Sequence, residues 1–198
     1  MILQCRKAFV ATTLALALVI GQAQAADAIQ IESIHYAPST ELQGHTLVLN
    51  GAALRKKLFF KVYAAGLYVQ TPTHNVETVL SETGPARVRL GLLRDVSGES
   101  FIEALDDGLK ANLSPEKEKS LAAELDKLRS IMKLIGDVKI NDLVDFDYSP
   151  TVGTTVNHNG KLIGGPIGGG RDLYNAVLAI WLGENTIDKK LKTGMLGL

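Results

Sequence analysis

The sequence predicts an α+β fold, with a large and mostly antiparallel sheet. Three observations carry this. Strand-like segments dominate the first third of the chain past its apolar leader, helical periodicity occupies the middle, and a hairpin signal followed by one more helix closes the sequence. Strands grouped first and helices grouped later argue against repeated βαβ units, and a tight hairpin requires antiparallel neighbours.

The leader comes first. Arg6 and Lys7 precede an apolar run from Ala8 to Ile20, and Ala23-Gln24-Ala25 then offers the small residues that a signal peptidase requires. The run is too short to span a bilayer comfortably. Residues 1–25 are therefore expected to be a cleavable signal peptide, with cleavage after Ala25, a periplasmic location and no stable membrane insertion afterwards. Removing 25 of the 198 residues leaves 173, enough for one domain over residues 26–198 with its own core. The single cysteine, Cys5, leaves with the leader, so the remainder has no disulfide, thiol nucleophile or cysteine metal site. Losing Arg6 and Lys7 from 21 basic residues leaves 19 against 21 acidic ones, a net charge near −2 that gives no electrostatic reason to bind nucleic acid.

In the remainder, Ile29 to Ile34 alternates apolar and polar residues, and His45 to Leu49 is short and rich in β-formers; both are expected strands. Phe59 to Val69 is almost continuously apolar, the pattern of a central strand covered on both faces. Side chains alternate in a strand, so Lys61, Tyr63 and Ala65 share one face. Arg87-Val88-Arg89-Leu90 and Val144 to Tyr148 alternate cleanly, which predicts half-buried strands with arginines and aspartates turned to solvent. Asn159-Gly160, between two strand-like runs, marks a tight hairpin turn.

Phe101, Leu105 and Leu109 recur at helical spacing, as do Leu121, Leu125, Leu128, Met132 and Ile135. Ser114-Pro115-Glu116 supplies a cap hydroxyl, a first-position proline and an acidic first turn, so the second helix should begin there. A third helix, from about Arg171 to Leu182, is apolar on nearly all sides and should be buried against the sheet.

Familiar chemical motifs are missing. The glycine run Gly164 to Gly170 precedes a helix but fits no G-x-G-x-x-G register and has no following Lys-Ser/Thr pair, so it reads as a strand-to-helix turn. His35, His45, His74 and His158 never stand at metal-ligand spacing from one another, and there is no Gly-x-Ser-x-Gly elbow. No cofactor or metal is expected. One combination remains: Arg55 and Tyr63, both set in apolar sequence. A guanidinium grips a carboxylate at two points and a phenol donates a third hydrogen bond, which suits a carboxylate head group in an apolar cavity. The alternative is a surface arginine and a core tyrosine with a backbone partner.

Leu49-Asn50-Gly51-Ala52-Ala53-Leu54-Arg55 followed by Lys61-Val62-Tyr63-Ala64-Ala65-Gly66-Leu67-Tyr68 resembles the opening of chalcone isomerase-fold proteins. Val96 to Phe101 resembles the start of that family's first long helix, and Val177 to Asn185 resembles its late helix and the Gly-Glu turn after it. The resemblance implies an open-faced β-sandwich, a large and mostly antiparallel sheet backed by a layer of helices, with a ligand cleft between them. It also implies a set of site positions. The arginine of plant chalcone isomerases is kept as Arg55, and their strand threonine becomes Tyr63. Their helix tyrosine, lysine and asparagine fall on Phe101, Ala104 and Gly108, and their late threonine falls on Ile180.

Ring closure of a chalcone needs a positioned phenolate and hydrogen bonds to the developing enolate, which Phe, Ala, Gly and Ile cannot supply. The Arg-plus-Tyr version is similar to the non-catalytic, fatty-acid-binding branch of the fold. The expected function is therefore binding of a fatty acid or similar small apolar carboxylate by a monomer, with Arg55 and Tyr63 at the head group. The alternative is an isomerase or intramolecular lyase on another substrate, with Tyr63 and Lys61 as acid or base. Lys61 separates the two: inside a dry cavity it could serve as a base, and in solvent it could not.

Overall fold

The computed structural model describes residues 28–198. Residues 1–27, and with them the expected signal peptide, its cleavage site and Cys5, lie outside the described residues. The described chain opens with β1 (Ile29–Ile31), β2 (Ile34–Tyr36), β3 (Ser39–Leu42), β4 (His45–Lys57) and β5 (Phe60–Val69). Helix α1 (Val76–Ser81) and β6 (Ala86–Leu92) lead to α2 (Gly98–Asn112), α3 (Pro115–Ser120) and α4 (Ala122–Ile135). Then come β7 (Leu143–Ser149), β8 (Gly153–His158), β9 (Lys161–Ile167), α5 (Gly170–Leu182) and α6 (Lys189–Met195).

Strands β3 to β9 form one curled sheet in chain order, antiparallel at every step, and among the described residues β1 pairs with β2 alone. This is the α+β architecture expected from the strand and helix order, with the large antiparallel sheet and helix layer that the resemblance implied. One face of the sheet carries the main core. Ala65, Leu67 and Val69 of β5, Val88 and Leu90 of β6 and Phe146 of β7 pack there against Leu105 and Leu109 of α2, Leu128 and Met132 of α4, and Val177 and Trp181 of α5.

The other face is closed by the β1–β2 hairpin, whose Ile34 and Tyr36 join Leu47, Leu49, Ala64 and Tyr68 in a second cluster. Two strand glycines make room for them. A Cβ on Gly66 would stand 2.6 Å from the Tyr36 ring, and one on Gly91 would collide with Ile34. That cover overturns one expectation from the alternating pattern. Arg87, Asp145 and Asp147 do not face solvent; they are 9%, 4% and 1% exposed. Arg87 grips Asp147 through Nε and Nη2 at 2.6 and 2.8 Å and donates to Thr40 at 2.9 Å, while Arg89 holds both oxygens of Asp145 at 2.8 Å. Alternation reported the two faces correctly, but a charged face buried by neutralisation has the same sequence pattern as a wet one.

Other differences are local. The expected Ile29–Ile34 strand breaks at Glu32 (φ 56°), giving the β1–β2 turn. The strand expected at His45 to Leu49 runs on to Lys57, so Arg55 lies within β4 and not merely ahead of the next strand. Strand β5 is interior but third of seven; β6 holds the middle. The second long helix does begin at a Ser114 cap, whose hydroxyl accepts from the Lys117 N–H, but it breaks at Leu121 into α3 and α4. Asn159 and Gly160 both have positive φ, 50° and 78°, as the expected tight turn requires.

Candidate functional site

A cavity of about 560 Å³ opens between one end of the sheet and helices α2 and α5. Its floor is made by buried apolar residues: Leu90 and Leu92 of β6, Phe146 of β7, Leu105 of α2, and Ile180 and Trp181 of α5. Exposed residues form the rim, among them Lys57, Leu58 and Phe60 at the β4–β5 turn, Arg94 and Asp95 after β6, and Ser97 and Ser100 at the start of α2. The volume is in the range of small-molecule sites, and an apolar floor with few polar groups is their usual lining.

Tyr63 is the polar group of the interior. It projects from β5 into the cavity, and its hydroxyl oxygen accepts a hydrogen bond from Trp181 Nε1 at 3.0 Å. Among the described residues its own O–H has no acceptor. Burial is the main influence on the phenol and pushes its pKa up to about 12. The Trp181 hydrogen bond and the Arg55 charge pull the other way, and Asp188 adds to the rise. At neutral pH Tyr63 is thus a hydrogen-bond donor and not a phenolate.

Arg55 is the direct partner of Tyr63 across the β4–β5 pairing, but it stands beside the cavity, outside its lining. Its Nη1 donates to the Lys56 carbonyl and lies 3.4 Å from Asp188 Oδ2. Asp188 caps α6 with its other oxygen, which accepts from the backbone N–H groups of Lys190 and Leu191 at 2.9 and 3.2 Å. One carboxylate therefore starts a helix and orients the guanidinium.

The remaining expected positions divide. Phe101, Ala104 and Ile180 line the cavity. Gly108 does not: it is buried one turn along α2, where a Cβ would come within 2.7 Å of Ile180 Cγ2, so the absent side chain serves helix packing. Lys61 is not in the lining either. It reaches solvent and pairs with Glu32 at 2.8 Å, so the base that the isomerase alternative needed is not at this cavity.

Sequence reasoning did not single out Trp181 as a hydrogen-bond donor, Asp188 as the partner of Arg55, or Arg94 as a second rim cation. Asp188 ahead of Lys189-Lys190 is a readable helix cap. Its pairing with a residue 133 positions away has no local signal. Arg94 is placed by the fold over the ring of Phe60, 5.0 Å from its centre. Among the described residues no three His, Cys, Asp or Glu side chains gather as a metal site.

The model of a family described as chalcone isomerase-like matches residues 28–197. Among solved structures, a fatty-acid binding protein of Arabidopsis thaliana superposes with a TM-score of 0.64 at 18% identity, covering 85% of this chain and 95% of the plant one. No curated protein matches the sequence.

Proposed function

The chain belongs to the chalcone isomerase-like family, and from that premise we propose that it is a non-catalytic carrier of a fatty acid or a similar apolar carboxylate, held between sheet and helices. One observation carries the proposal. In the lining of an apolar cavity, Tyr63 has its oxygen occupied by Trp181 and, among the described residues, its O–H left free to donate, with the Arg55 guanidinium close enough to act on it. That is a donor aimed at an anion, surrounded by surface suited to an alkyl tail.

Each methylene removed from water contributes about 0.8 kcal/mol, so a tail of roughly ten outweighs a charged hydrogen bond of about 1.5–3 kcal/mol. The tail supplies affinity, and Tyr63 with Arg55 sets direction. The plant fatty-acid binding protein of similar fold supports this choice of ligand class. Proton transfer finds less support, since Tyr63 is held protonated and Lys61 is paired outside the cavity.

Solvent extraction of the purified protein, followed by mass spectrometry, should recover a long-chain acid, and a fluorescent fatty acid should bind and be displaced by unlabelled acid. An empty extract together with no fluorescent binding would sink the proposal. We propose in addition that residues 1–25 direct export to the periplasm. N-terminal sequencing of protein from that compartment should begin at Ala26, and an intact Met1 would refute it.

A further inference from the structure

We propose that the tip of the β4–β5 hairpin docks the protein on an anionic phospholipid bilayer, seating the cavity mouth on the lipid surface. Leu58, Phe59 and Phe60 follow one another at this tip and are 83%, 95% and 59% exposed. Among the described residues no core packing accounts for three consecutive large apolar side chains this exposed. Lys56 and Lys57 are exposed beside them and Arg94 stands over Phe60, while Lys61, also exposed, is paired with Glu32. Apolar side chains ringed by cations match an anionic membrane interface, where the rings enter the acyl boundary and the ammonium groups meet phosphates.

The turn itself is a second observation. Lys57 pairs with Phe60, so Leu58-Phe59 is a two-residue connection, the kind that Asn-Gly or Gly-X ordinarily fills. Leu58 instead adopts φ 56°, a left-handed conformation disfavoured for a bulky side chain. Turn formation does not call for Leu-Phe here, and strain kept at an exposed position points to function. Location is the third observation. Lys57, Leu58 and Phe60 belong to the cavity rim, so a membrane touching the tip touches the opening. Docking is independent of what the cavity holds and stands whether or not the ligand is a fatty acid.

Vesicle co-sedimentation tests this, using purified protein of sequenced N-terminus with phosphatidylcholine vesicles and with vesicles rich in phosphatidylglycerol. Binding should favour the anionic vesicles and fall with added salt. Phe59→Ser should weaken it at least about tenfold and Lys56→Ser about fivefold. Leu134→Ser, which removes a 69% exposed leucine on α4, should leave it unchanged. Circular dichroism should show all three variants folded, since each site is solvent-facing. Equal binding to both vesicle types, or equal losses in the Phe59 and Leu134 variants, would overturn the proposal. A concentration-dependent dimer abolished by Phe59→Ser, with no vesicle binding, would overturn it in favour of a second copy of the chain.

Discussion

Arg55 and Tyr63 are register partners on adjacent antiparallel strands, so backbone pairing sets their side chains next to each other on one face of the sheet. A β-bulge follows immediately, between Arg55 and Lys56, and the hairpin turns three residues later. Asp188 then anchors the guanidinium from the far end of the chain. The two groups that meet the ligand in our proposal are thus held by a strand pair on one side and a helix cap on the other.

Asp188 competes with any bound carboxylate for Arg55. Asp188→Asn keeps a good helix cap while removing the competing charge, so titration with a fluorescent fatty acid should show tighter binding. Arg55→Ala should weaken it about tenfold to a hundredfold. If Arg94→Ala produces the larger loss, the head group sits at the rim and the orientation is reversed.

Trp181→Phe keeps the aromatic packing but removes the N–H that holds the Tyr63 oxygen. Binding should weaken by about 0.5–1.5 kcal/mol as the phenol loses its orientation. The same variant should raise the Tyr63 pKa further, because that hydrogen bond favours the phenolate. Ultraviolet titration of tyrosinate absorbance checks the direction.

Alkaline stability follows from the same phenol. Its pKa rises from 10 in a free tyrosine to about 12 in the fold. Between those values the unfolded chain gives up a proton that the native state keeps, so its contribution is full below pH 10 and lost as pH rises to 12. Two pH units correspond to at most about 2.7 kcal/mol. Burial raises Tyr36, Tyr68 and Tyr174 as well, and they add to the same slope. Denaturant midpoints measured from pH 9 to 12 should fall, and less steeply in Tyr63→Phe.

What the sequence disclosed depended on range. Asn159-Gly160, the Ser114 cap and the four-residue spacing of Phe101, Leu105 and Leu109 in α2 are local patterns, and each appears where the sequence put it. The chalcone isomerase-like fold was legible because short segments matched in order along the chain. Long-range pairings were not legible. Asp188 meets Arg55 only after the fold closes, and the Arg87–Asp147 face reads as wet until the β1–β2 hairpin covers it. Gly108 is a cavity position only by the resemblance, which puts the family's helix asparagine there; the close approach of Ile180 to its missing Cβ gives it a packing role that no local pattern announces.

The covered charges give a stability prediction. Arg87→Met leaves Asp147 buried, with Asn157 as its remaining side-chain donor and Asp145 nearby. Loss of about 3–5 kcal/mol is expected in urea unfolding. Replacing both partners, Arg87→Met with Asp147→Leu, should recover most of it, since no uncompensated charge remains. A double variant as unstable as the single one would mean that the ion pair itself supplies the stability.

Ala104 offers a way to close the cavity without disturbing the core, since it lines the space yet is exposed on α2. Ala104→Trp places an indole across the opening near Phe101 and should lower fatty-acid affinity at least about tenfold, because the displaced methylenes each carry about 0.8 kcal/mol. Long chains should suffer more than short ones, which need less of the cavity. Titration with a series of acids of increasing length separates this from a head-group effect, which would be the same at every length. A uniform loss across the series would place the tail elsewhere and remove the cavity from the proposed site.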